Sequence, residues 1–216
     1  MPIEPVRLWA RDDTNGRVTL RQRLEYGDEG RPDQDASVRA AMRARNLLGQ
    51  LYRHHDEAGL TEVAEVDFKG NVLDKSRRVI ADAPILAVFA QAPANNWNVT
   101  PFQVNWEPGL GQTLADREGE LLEGDTYRTT SSVDALGRVK QLQFPQDVEG
   151  KRRKLRPIYN NAGGLEKVFL DEALYVERIA YDAKGQRVLV VYGHAVMTRY
   201  AYNQRSFRLN RLRSER

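Results

Sequence analysis

The chain has 216 residues, with 33 Lys and Arg against 30 Asp and Glu, a net charge of +3, three histidines and no cysteine. That near balance lacks the positive surplus of a duplex-binding module, and the missing thiols exclude disulfides, thiolate zinc sites and cysteine nucleophiles. With 41% hydrophobic and 29% charged residues, the composition describes a surface-rich globular chain rather than a disordered one.

The N-terminus carries Glu4, Arg7, Arg11, Asp12 and Asp13, which leave no room for the apolar core of a signal peptide. The longest mainly apolar run, Ala83 to Ala92, has about half the length needed to cross a bilayer. These features predict a chain that is cytosolic or exported without a cleaved leader.

One short pattern punctuates the sequence: Asp or Asn, two variable residues, then Gly. It occurs at Asp13–Gly16, Asp56–Gly59, Asp67–Gly70, Asp134–Gly137, Asn160–Gly163 and Asp182–Gly185. The last three copies begin at 134, 160 and 182, so they stand 26 and 22 residues apart, and Asn203 follows Asp182 by 21. The side-chain oxygen of such a residue accepts a backbone N–H two positions on, and Gly takes the positive φ that closes a hairpin loop.

In chain order, residues 35–48 are rich in helix formers, start on a possible Asp35 cap and end before Gly49. They predict a short helix with Val38, Met42 and Ala41 facing inward. Residues 81–123 contain Pro84, Pro93, Pro101, Pro108, Gly109 and Gly111. They predict an irregular excursion with at most short helical turns. It should pack on the sheet, because Phe89, Trp97, Phe102 and Trp106 are too many large apolar groups to leave in water. From Val133 onwards the pattern is β. Leu142 and Phe144 continue one face of a hairpin centred on Asp134; Tyr175, Ile179 and Tyr181 share a face, with Glu177 as a polar exception. After Gly185 a β-branched run reaches Tyr192, and Thr198, Tyr200 and Tyr202 oppose Arg199, Ala201 and Asn203. The predicted fold is mainly β, an antiparallel array of hairpins. Its regions are 1–80 (degenerate repeats with one helix), 81–123 (the irregular insertion) and 124–216 (the hairpin array).

The C-terminal stretch carries a composite pattern. Tyr181-Asp182 is followed by Gly185, Arg187, Tyr192-Gly193, Thr198-Arg199-Tyr200-Ala201-Tyr202 and Arg208-Leu209. This order resembles the YD repeat of Rhs proteins. Upstream, Arg7-Leu8-Trp9-Ala10-Arg11-Asp12, Leu24-Glu25-Tyr26-Gly27 and Asp67-Phe68-Lys69-Gly70-Asn71 are similar to the Rhs-bearing B subunits of insecticidal toxin complexes. The resemblance implies repeats that spiral into a hollow β-shell around a C-terminal toxic domain, held inactive and unfolded until delivery. It implies a secreted virulence protein whose partners are neighbouring Rhs segments and the enclosed toxin, with no nucleic acid and no direct membrane insertion. Tyr precedes the turn only at Tyr159 and Tyr181; Asp12, His55, Val66 and Val133 stand at the other copies. The family's terminal core motif with its self-cleaving aspartate is not found. The expectation is a segment of a longer shell, prone to self-association through edge strands when expressed without its neighbours.

Candidate chemistry is sparse. His54-His55-Asp56-Glu57 offers four ligand types in a row, but adjacent strand residues point to opposite faces and cannot share one ion. Lys151-Arg152-Arg153-Lys154 with Arg156, and the tail arginines Arg205, Arg208, Arg211, Arg213 and Arg216, read as solvated strands or hairpin tips rather than phosphate sites. Asp116, Glu118, Glu120 and Asp125 have no spacing that singles out an acid pair for glycoside hydrolysis. Asn98-Val99-Thr100 matches a glycosylation sequon. No catalytic, cofactor-binding or metal-binding residue is assigned. Tyr159, Tyr175, Tyr181, Tyr192, Tyr200 and Tyr202 remain, either packing between repeats or, as the alternative function, stacking on a target-cell glycan.

Overall fold

In the computed structural model, residues 5–12, 16–90 and 92–216 are described. They form two compact units that divide between Arg128 and Thr129. The fold is mainly β, and within each unit every strand pairs antiparallel with its sequence neighbour.

The first unit contains β1 (Val6–Ala10), β2 (Thr19–Tyr26), β3 (Leu51–Asp56), β4 (Gly59–Val66) and β5 (Val72–Val79). The Asp13–Gly16 corner expected between β1 and β2 falls on residues 13–15, outside the described residues. Helix α1 (Ala36–Ala44) joins β2 to β3, and the Asp35 carboxylate caps it by accepting the Ser37 N–H at 2.8 Å. Its expected inward face is a correction: no residue of α1 is buried, and Val38 is 45% exposed. The anchor lies beyond the helix. Asn46 takes a left-handed φ of 57° and donates its side-chain amide to the Val66 carbonyl at 3.0 Å, which turns the fully buried Leu47 inward. Gly27 makes room for this passage, since a Cβ there would stand 2.1 Å from the Leu47 carbonyl oxygen.

The excursion over 81–123 holds α2 (Asp82–Leu86), 3-10 turns at Ala87–Phe89 and Pro93–Asn95, and α3 (Leu114–Leu121). Helix α3 is longer than the helical turns the sequence suggested, because Thr113 and Asp116 form a reciprocal capping box. Only part of the excursion packs. Trp106 is fully buried with Val104, Leu121 and Leu122 against Leu20, Leu60 and Ile80, and Phe102 leans on the same cluster. Trp97 is 75% exposed and Phe89 54% exposed, contrary to expectation. Phe89 lies in the 3-10 turn Ala87–Phe89, and Asn96 and Trp97, just after the second turn, adopt positive φ, 51° and 62°. The chain then becomes extended beside β2, where the Trp106 N–H reaches the Leu20 carbonyl at 2.9 Å and the Leu20 N–H reaches Asn105 Oδ1 at 2.9 Å.

The second unit continues with β6 (Tyr127–Val133), whose first residues precede the division, then β7 (Val139–Gln146), β8 (Arg152–Tyr159) and β9 (Leu165–Leu170). β10 (Ala173–Tyr181), β11 (Arg187–Tyr192), β12 (Met197–Tyr202) and β13 (Leu209–Glu215) complete it. Val168, Val176, Ile179 and Val190 form its core, flanked by Leu155, Leu165, Tyr181, Tyr192 and Tyr200. On β12 the expected alternation holds: Thr198 is buried and Tyr200 and Tyr202 are half-buried, while Arg199 and Ala201 are exposed. On β10 it does not. The register shifts between Val176 and Arg178 and again between Ala180 and Tyr181. A bulge inserts one residue and resets the side-chain parity, so Val176 and Ile179 are both buried while Tyr175 is 55% exposed.

Trp106 joins the excursion to the sheet by packing and by its indole N–H, which donates to the Asp56 carbonyl at 3.0 Å. Trp106→Ala should therefore cost roughly 3–5 kcal/mol of unfolding free energy, as large buried aromatic truncations do. Urea denaturation followed by circular dichroism checks this, and a loss below about 1 kcal/mol would show that the excursion is not held by this residue.

Candidate functional site

The repeated unit of the second half is a corner followed by a strand pair. At Asp134 the carboxylate Oδ1 accepts the N–H groups of Leu136 and Arg138 at 2.9 and 3.0 Å, while the Gly137 N–H returns to the Asp134 carbonyl at 2.9 Å. Gly137 supplies the necessary φ of 77°. Asn160 repeats the arrangement with Ala162 and Gly164, Asp182 with Lys184 and Gln186, and Asn203 caps a longer loop through Arg205 and Ser206. Asp67 makes the same turn in the first unit. Backbone donors hold the Asp134 carboxyl below its ordinary value, and the Arg138 guanidinium adds to the effect.

The tyrosine before each corner connects it to the previous one. Tyr159 on β8 donates its hydroxyl to the Val139 carbonyl at 3.1 Å, Tyr181 on β10 to Leu165 at 2.8 Å, and Tyr202 on β12 to Arg187 at 2.9 Å. Each acceptor is the first residue of the strand preceding the tyrosine's own, so every hydroxyl links one hairpin to the hairpin before it. Cations cover the rings: Arg138 lies 4.6 Å from the Tyr159 centroid and Arg187 4.8 Å from that of Tyr200. Gly164 is small for the same reason, because a Cβ there would lie 3.1 Å from the Tyr181 ring.

The opposite ends of these strands have corners of their own. Asp147 accepts the N–H groups of Glu149 and Lys151, with Gly150 at φ 74°. Asp147-Val148-Glu149-Gly150 is a further copy of the Asx-x-x-Gly pattern, beyond the six named above. Gly193 closes another corner, where its N–H meets the Tyr175 carbonyl at 3.1 Å and a Cβ would overlap the Leu174 carbonyl oxygen at 1.7 Å.

No family model matches the chain. Among curated proteins it is 28% identical over 209 residues to toxin subunit YenC1 of Yersinia entomophaga, covering 93% of this chain and 19% of that one. It is 26% identical over 179 residues to toxin subunit YenC2 of the same organism, covering 79% of this chain and 16% of that one. The chain thus spans less than a fifth of the curated relatives it matches. Among solved structures, a TcdB2-TccC3-Cdc42 crystal structure superposes on 99% of the chain and 8% of that chain, with a TM-score of 0.67 and 22% identity. A Photorhabdus luminescens Tc holotoxin pore covers 99% of this chain and 8% of that one, at a TM-score of 0.66 and 24% identity. The chain is thus similar, over most of its own length, to parts of toxin subunits, and it shares the fold of the matching parts of toxin-complex structures. The fold likeness and the tyrosine corners support the YD-repeat resemblance from independent sides.

The first unit holds a cluster of charge that the sequence left undistinguished. Glu118, on α3, accepts from Arg53 Nη2 at 2.7 Å and stands 2.8 Å from His55 Nε2. His55 is fully buried and packs edge-on against Trp106, with ring centroids 4.8 Å apart. Arg53 also meets Glu62 at 3.0 Å and the buried Glu25 at 3.5 Å, and Arg23 holds Glu25 at 2.7 Å. Burial pushes the Glu118 carboxyl up, but the His55 hydrogen bond and the Arg53 charge outweigh it and leave it below the ordinary value. His54 points elsewhere, 3.4 Å from Gln22, so the two imidazoles are not brought together. Asp116 is spent on the cap, and Glu120 pairs with Arg117 at 2.8 Å. Two residues of the basic tract are paired locally: Lys151 meets Glu149 at 2.9 Å, and Arg153 lies 3.4 Å from Asp147 and 3.3 Å from Asp171. Arg156 stacks 4.3 Å from the Phe169 centroid.

Two expectations follow. Tyr181→Phe should cost about 1 kcal/mol, the worth of one net hydrogen bond, and Gly164→Ala should cost at least as much by displacing the ring. Chemical denaturation measures both, and an unchanged midpoint for the two variants would show that the hydroxyl links are not stabilising. A depressed Glu118 pKa in the fold stabilises above the unfolded value of 4.5 and is lost as pH falls through the folded value. Glu118→Gln should therefore destabilise at pH 7 by roughly 2 kcal/mol, less than for a sole partner because Arg53 keeps Glu25 and Glu62. The difference from the parent should shrink when melting is followed below pH 4.5; a pH-independent difference would contradict the assignment.

Proposed function

We propose that this chain is a structural wall segment of a β-shell that encloses a C-terminal toxin domain and keeps it inactive in a bacterial toxin-delivery system. The observation that carries the reading is the hydroxyl ladder. Tyr159, Tyr181 and Tyr202 each bind a backbone carbonyl of the preceding hairpin, so hairpins are joined by side chains as well as by strand pairing. An array built in this way extends by addition of identical units, which is what a wall requires. The kinship to toxin subunits YenC1 and YenC2 supplies the toxin context.

On this reading the chain acts by enclosure and performs no chemistry of its own. Its partners are neighbouring repeat segments and an unfolded toxin polypeptide, and it acts after export from the cell that makes it. The alternative is a repeat surface that binds glycan or protein on target cells; it has in its favour the 55% exposed ring of Tyr175. The ladder hydroxyls themselves are already bonded to backbone, which leaves them poorly placed to hold sugar.

Limited trypsin digestion of the full-length gene product, followed by mass spectrometry, tests the enclosure. A toxin-domain fragment should survive in the parent and be degraded in Gly193→Ala, whose new Cβ collides with the Leu174 carbonyl. Equal digestion of the toxin region in both, or specific glycan binding lost in Tyr175→Ala, would overturn the wall reading in favour of the surface module.

A further inference from the structure

The arginines of the last strands have no part in the tyrosine ladder. Register places Arg199 of β12 between Leu189 of β11 and Arg213 of β13, and it sets Arg211 opposite Ala201. Strand alternation carries these side chains to the face opposite Val190, Thr198 and Tyr200. Arg199, Arg211 and Arg213 line one open groove of about 560 Å³, with Leu189, Met197 and Ala201 among its walls. Arg178, paired with Val191, belongs to the same face.

Like charges directly opposite each other weaken an antiparallel pair, yet Arg199 and Arg213 are directly opposite. The compensation within the chain is small. Glu215 lies 3.3 Å from Arg213 Nε, Arg199 reaches only the Met197 sulfur at 4.0 Å, and Arg211 makes no ion pair among the described residues. By contrast, Arg138 of the same unit pairs with Asp134, and Arg153 with Asp147 and Asp171.

We propose that this face docks an extended acidic segment of another polypeptide. Guanidinium groups grip carboxylates through paired N–H donors. Alternate residues of an extended chain repeat about every 6.6–6.8 Å, which is also the spacing between Arg211 and Arg213, so acids at every second position meet successive arginines. The apolar residues of the groove suit the methylene stems of glutamate and offer a phosphodiester backbone nothing, which favours polypeptide over nucleic acid.

Fluorescence anisotropy with a labelled octapeptide of alternating Glu and Val tests this on the 216-residue chain at low salt. An octapeptide of alternating Lys and Val, duplex DNA and a heparin fragment serve as the other arms. The acidic probe should bind saturably, and Arg199→Gln with Arg213→Gln should weaken it about tenfold without lowering the melting temperature, since a like-charge contact is removed. Arg211→Gln alone gives a second readout, a smaller loss in the same direction. Arg199→Glu with Arg213→Glu should transfer the preference to the lysine peptide. No saturable binding, binding indifferent to all of these substitutions, or tighter binding of DNA or heparin than of the acidic probe would each overturn the proposal.

Discussion

The bond from a tyrosine hydroxyl to the carbonyl of the preceding hairpin is the interaction on which the second unit depends. Strand pairing alone leaves a repetitive sheet free to slip, and a slip of one residue turns every side chain to the wrong face. The Asx corner fixes the register inside each hairpin. The phenol then fixes one hairpin against the next: Tyr159 reaches back to Val139 in the β7–β8 register that sets Leu142 opposite Leu155, and Tyr181 reaches back to Leu165 in the β9–β10 register that sets Val176 opposite Val168. Each bond is worth only about 1 kcal/mol, but repetition at every second strand makes the contribution cumulative. The covering arginines and the missing side chain of Gly164 belong to the same device: one shields the ring, the other admits it.

The first unit solves the same problem with different chemistry. There the positions before the corners are His55 and Val66, not tyrosine. Val66 enters the core as an aliphatic residue, and His55 is drawn beneath Trp106 and bonded to Glu118. The excursion therefore stands in for the ladder, pressing an indole and a carboxylate onto strands that have no phenol to tie them. A buried ion cluster of this kind adds little net stability compared with apolar packing, since desolvation consumes most of the attraction. What it adds is selectivity: Arg53 has acidic partners on β2, β4 and α3 at once, so only one placement of α3 satisfies them all.

This contrast explains what was legible in the sequence. Corners are local, since the residue that caps and the glycine that turns are three positions apart, and the expected corners at Asp56, Asp67, Asp134, Asn160 and Asp182 all form. The face of a strand is local only while the pleat is regular. The two bulges in β10 exchange Tyr175 for Val176 on the buried side, and no residue type announces a bulge. Glu118 was seen as one acid in an acidic stretch, because its partners Arg53 and His55 lie 65 and 63 residues away. Phe89 and Trp97 misled in the other direction. Their size argued for burial, yet both stand exposed on short turns whose packing residue type alone does not reveal.

On the proposed wall reading, a sheet that contains another polypeptide should offer it few hydrogen bonds, and the polar groups that build this sheet's corners and ladder are engaged within it. Its corner carboxylates accept their own backbone amides, its ladder hydroxyls are donated to its own carbonyls, and Arg153 is shared between two neighbouring acids. The arginines of β12 and β13 belong to neither the corners nor the ladder. Two arginines placed face to face, Arg199 opposite Arg213, raise the free energy of the isolated fold. A sequence that tolerates this arrangement gains nothing from it in folding, so its advantage has to lie in an anionic partner outside the sheet.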